Sequence, residues 1–101
     1  MFPTKPKQQQ YRVIIEEIDA EEPKSLEFSY QDREDVFNII DKLKKGSGLE
    51  PESATQVAVA LRLLGPVMMK DRKHPLFADF APHFKSFMHN LKSTVKESMK
   101  A

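Results

Sequence analysis

Three histidines, His74, His83 and His89, supply the side chains of this 101-residue sequence best suited to proton transfer or metal binding near neutral pH. Two imidazoles on one helix share a metal when they stand three or four residues apart. His83 and His89 are six apart, which turns them about 120° from one another, so they form no local pair. His74 precedes Pro75, which pushes it out of helical geometry, and an imidazole at such a break either caps backbone groups or is offered to a ligand. A catalytic base requires an orienting partner, and nearby in the sequence only Asp71 and Asp79 serve, provided the fold gathers them. Capping or packing is the ordinary role there and the one expected. A small enzyme built on this chain would have its site near His74 and Pro66.

Other reactive constellations are missing from the sequence. Glu16, Glu17, Asp19, Glu21 and Glu22 crowd a strand end and loop, where water solvates each carboxylate and does not separate their acidities as paired catalytic acids require. No serine occupies a Gly-x-Ser-x-Gly elbow, and Gly46-Ser47-Gly48 lacks the Gly-Lys-Ser/Thr ending of a phosphate loop. Cysteine is absent, which excludes disulfides, thiolate ligands and cysteine nucleophiles. The expectation is a chain with no catalytic residue, metal or cofactor.

A binding surface is easier to find. At about 100° per residue, Lys85, His89, Lys92, Lys96 and Lys100 gather on one side of the last helix, suited to a phosphate backbone or an acidic protein. A pI near 8.0, sparse arginine and the lack of interleaved exposed aromatics favour an ordinary solvated face over nucleic-acid binding. Of the five methionines, Met68, Met88 and Met99 fall on core stripes, whereas Met69 is free to face a partner. The candidate binding surface is therefore His74, Met69, Lys85, His89, Lys92 and Lys96.

The elements that position these residues begin with Tyr11–Ile18, rich in β-branched and aromatic side chains and predicted to be a strand. Leu26, Phe28 and Tyr30 alternate with Ser25, Glu27 and Ser29, the period of a strand with one face in water. Between them lies a polar, proline-marked connection suited to an antiparallel hairpin. Asp32 is expected to cap a first helix with Glu34 and Asp35 in its first turn, and Gly46 to end it in the left-handed conformation. Pro51 opens a second helix with the stripe Ala54, Val57, Ala58, Leu61, Leu64, Gly65 and Met68, broad enough to be touched on more than one side. Pro66 predicts a bend. A short turn carries Leu76 and Phe77, and Pro82 opens the last helix, whose apolar stripe is Phe80, Phe84, Phe87, Met88, Leu91, Val95 and Met99.

The expected fold is α+β: a two-stranded antiparallel β-hairpin followed by three main α-helices, with the helices packed on the sheet. Its expected organisation is a flexible arm over 1–9, a single domain over 10–95 and a frayed helix end over 96–101. Residues 1–50 carry a net charge of −3 and residues 51–101 one of +4, a modest polarity. The apolar fraction of 40% and charged fraction of 31% are those of a globular protein, and no apolar run is long enough for a membrane span. The start shows no secretory signal, so a cytoplasmic location is expected.

Gly65-Pro66-Val67-Met68-Met69 followed by His74-Pro75-Leu76-Phe77-Ala78-Asp79-Phe80, with Asp35-Val36-Phe37 upstream, resembles a family of small bacterial proteins known as a domain of unknown function. The resemblance covers about residues 11–92 and implies a bacterial, cytoplasmic protein without supplying an activity. From the residues themselves, the leading expectation is a non-enzymatic binding or regulatory module with a protein partner or a second copy, the latter joined at exposed strand edges. Nucleic-acid association through the last helix is the alternative.

Overall fold

The computed structural model describes residues 9–100, with side chains through Ser98. The expected arm over 1–9 lies outside the described residues except for Gln9, which belongs to the first strand. The chain divides into two compact units, one ending at Asp35 and the other beginning at Val36.

The first unit is an antiparallel hairpin of β1 (Gln9–Glu16) and β2 (Ser25–Asp32), paired from Gln9 opposite Asp32 to Glu16 opposite Ser25. This register puts Tyr11, Val13 and Ile15 on the same face as Tyr30, Phe28 and Leu26, and leaves Arg12 and Glu27 to form an ion pair at 3.3 Å on the other. The tyrosine rings lie 5.6 Å apart. Pairing begins two residues earlier than predicted and stops short of Ile18. The Glu17 N–H donates to the Lys24 carbonyl at 2.9 Å, and the Lys24 N–H donates to Glu17 Oε1 at 2.8 Å, so the loop closes before Ile18 finds a strand partner.

The second unit holds α1 (Val36–Gly46), α2 (Pro51–Lys70), the single turn α3 (Pro75–Ala78) and α4 (Ala81–Lys100), giving the three main helices expected after the hairpin. The helix predicted with Glu34 and Asp35 in its first turn starts only at Val36. Ahead of it, Asp32 Oδ1 accepts the Glu34 N–H at 3.0 Å in a local side-chain turn that competes with helical geometry.

Gly46 also corrects its expectation. It is the last helical residue and has no positive φ; Gly48 takes the left-handed conformation instead, at φ 84°. A β-carbon at Gly46 would lie 3.1 Å from Val95 Cγ1 and 3.2 Å from the Val95 Cα and carbonyl oxygen. Glycine suits the position because α4 passes so close that any β-carbon would push the Val95 side chain and backbone back by a few tenths of an ångström.

Leu43, Ala54 and Ala58 form the centre of the core, with Ile39, Ile40, Val57, Leu91 and Val95 packed against them. α4 joins this cluster through Leu91 and Val95, packing chiefly on α1, and meets α2 again where Gly65 faces the Phe84 ring. Pro66 does not terminate α2, which continues to Lys70 and closes with the Asp71 N–H on the Val67 carbonyl at 3.0 Å. α4 buries its Ala81, Phe84, Met88, Leu91 and Val95 side only in part, and Phe80 and Phe87, placed on the core stripe by the sequence, are exposed. Among the described residues no helix is long and apolar enough to cross a membrane.

Candidate binding surfaces

His74 sits where the chain leaves α2 and begins α3. Its extended backbone, φ −62° and ψ 135°, follows from Pro75, and its Nδ1 accepts the Leu76 N–H at 3.1 Å. The His74 N–H donates to the Asp71 carbonyl at 2.8 Å, and its own carbonyl accepts from Phe77 and Ala78 at 2.9 and 3.0 Å. A neutral imidazole has one acceptor nitrogen. Here the cap occupies it, which puts the proton on Nε2. The Phe77 ring, 6.0 Å away, flanks the imidazole. This is the capping role expected from the residue's position, and the group engaged at Asp71 is its backbone carbonyl. Among the described residues no group of three or more His, Asp and Glu could hold a metal.

The basic row of α4 has the predicted geometry. Lys85, His89, Lys92 and Lys96 are all exposed and fall within about 60° of one helical direction, one quarter-turn from the buried stripe. The Lys100 side chain lies outside the described ones. Met69 is exposed on the last turn of α2, whereas Met68 beside it is buried. The structure places His74 and Met69 at the α3 end of the helical unit and spreads the lysines along α4.

The surface that the sequence reading missed is the apolar face of the hairpin. Ile15, Leu26 and Phe28 are 42–58% exposed, and Ile18, just beyond β1, is 80% exposed. These side chains lie toward the loop end, where Glu17, Glu21 and Glu22 follow in the chain. The signal was the alternation of Leu26, Phe28 and Tyr30. It identifies a face that seeks cover without showing how completely the chain covers it.

The family model described as a domain of unknown function with a solved structure, DUF3861, matches residues 9–93. The chain belongs to the DUF3861 family. A crystal structure of a protein of unknown function from Pectobacterium atrosepticum resembles it at a TM-score of 0.77 with 38% identity, covering 84% of this chain and 97% of that one. Nothing among curated proteins matches. The family match includes both strands, His74 and the α4 row as far as Lys92, while Lys96 lies beyond it.

Proposed function

We propose that this DUF3861 protein is a non-enzymatic, cytoplasmic protein-binding module whose contact surface is the apolar face of the β-hairpin. The observation that carries this reading is the exposure of Ile15, Ile18, Leu26 and Phe28 together at one end of a two-stranded sheet. A sheet of two strands is marginal in water until its apolar face is covered, and contiguous apolar patches of this kind mark interaction sites. The lack of cysteine suits a cytoplasmic location. His74 serves the fold in this reading, as the cap of α3.

The test is to compare the native chain with a Leu26→Ser/Phe28→Ser variant as affinity baits, and to rebuild any contact from purified components. A partner retained by the native chain and lost by the variant supports the reading. Partners that bind both equally overturn it.

The exposed row Lys85, His89, Lys92 and Lys96 supports a second reading, association with nucleic acid. It requires band retardation at low salt that disappears in a Lys85→Glu/Lys92→Glu/Lys96→Glu variant.

A further inference from the structure

The helical unit has an uncovered apolar surface of its own. α1, eleven residues and so about 16 Å long, runs beside only part of α2 and α4, each twenty residues and about 30 Å. It packs at the end where Leu43, Ala54, Ala58 and Val95 meet. At the other end Leu64 and Val67 of α2, Phe80 just before α4 and Phe87 within it are 38–48% exposed. Lys70, Arg72 and Lys73 follow Val67 in the chain, all exposed, with Asp71 the one carboxylate in the run.

Resting on the reading of the hairpin as the contact surface, we infer that its partner is a second copy of this chain, bound reciprocally. The hairpin of each copy covers the open end of α2 and α4 in the other. Charge selects this pairing over hairpin against hairpin. Residues 1–35 hold nine carboxylates and five basic side chains, a net −4, while residues 36–101 hold six and eleven, a net +5. Two hairpins face to face would bring the Glu17, Glu21 and Glu22 loop carboxylates into repulsion, whereas the Lys70–Lys73 end attracts them. Each contact removes on the order of 1,000 Å² from water and the reciprocal pair about twice that, within the range of stable homodimers. A twofold exchange closes on itself and stops at two copies.

Light scattering on the full chain at low salt should give twice the 11.7 kDa of one copy. Two charge reversals then decide the geometry: Glu17→Lys/Glu21→Lys/Glu22→Lys on the hairpin and Lys70→Glu/Arg72→Glu/Lys73→Glu on the helical unit. Each variant alone should remain monomeric where the native chain is dimeric, and an equal mixture should form a dimer with one copy of each, read by native mass spectrometry. Ile18→Arg, outside both strands, should weaken the native dimer on the order of tenfold. A helical-unit variant that dimerises like the native chain overturns the inference in favour of hairpin pairing. A native chain that stays monomeric at its highest soluble concentration overturns it too. The hairpin reading then survives only if Leu26→Ser/Phe28→Ser abolishes binding of a different purified partner.

Discussion

The two ends of the helical unit are built to different tolerances. At the α1 end, Gly46 approaches Val95 so closely that a β-carbon would meet both its side chain and its backbone, and Ala54 and Ala58 are completely buried. At the α3 end, a β-carbon on Gly65 would sit 3.8 Å from the Phe84 ring, an ordinary contact distance, and Leu64, Val67, Phe80 and Phe87 stand partly in water. Both ends use small or apolar residues on the same two helices, yet only one is filled. Small side chains bring helices together where a third helix completes the packing. Where α1 no longer reaches, the same apolar pattern leaves a surface.

The largest effect should come from emptying the filled end. Leu43→Ala removes a buried side chain from the centre of the core and should lower the unfolding free energy by about 3 kcal/mol, measured by urea denaturation. Next comes Gly46→Ala. Alanine favours the helix by about 1 kcal/mol, but the new β-carbon meets the Val95 backbone, which moves only if α1 and α4 separate, so the net result should be a loss of about 2 kcal/mol. A stabilising Gly46→Ala would show that the close crossing is not a constraint and would remove the contrast between the ends.

That contrast was only partly legible in the sequence. Pro51 and the 3–4 spacing of Ala54, Ala58 and Leu61 disclosed α2, because helix starts and stripes are local signals. Gly46 was misread because glycine serves both a left-handed turn and a close approach, and two glycines stand two residues apart; only the path of α4 assigns the turn to Gly48 and the approach to Gly46. Phe80 and Phe87 lie within the angular width of the α4 stripe, but a stripe does not say how far along it the neighbouring helix extends. The hairpin face was hidden similarly: Ile14 and Ile15 are adjacent in β1, and the pairing of Ile15 with Leu26 decides which one joins Phe28. His74 was more accessible to reasoning, since Pro75 fixes its backbone and a side-chain cap follows naturally.

His74 also tests whether the open end is well ordered. His74→Ala deletes the acceptor for the Leu76 N–H and should destabilise the protein by about 1 kcal/mol, while His74→Asn, which retains a capping oxygen, should recover most of it. Equal stabilities for the alanine, asparagine and native chains would mean that the α3 cap contributes nothing. Gly65→Ala should be milder than Gly46→Ala. The β-carbon has room beside the Phe84 ring, but in a helical backbone it crowds the Pro66 ring that follows, which offsets alanine's better helix propensity, so stability should change by less than about 1 kcal/mol.

The smallest effect on folding should be at Val67, and there the two roles of the open end separate. Val67 is partly exposed on the outer side of α2, with its carbonyl already accepting the Asp71 N–H, so Val67→Ser leaves the backbone bond in place and removes little buried surface. Its unfolding free energy should stay within about 0.5 kcal/mol of the native value. Under the reciprocal-dimer reading the same substitution removes apolar surface from the interface and should raise the dissociation constant several-fold, read by sedimentation across a dilution series. A loss of stability as large as that of Leu43→Ala would place Val67 in the core and make both ends of the helical unit equally closed.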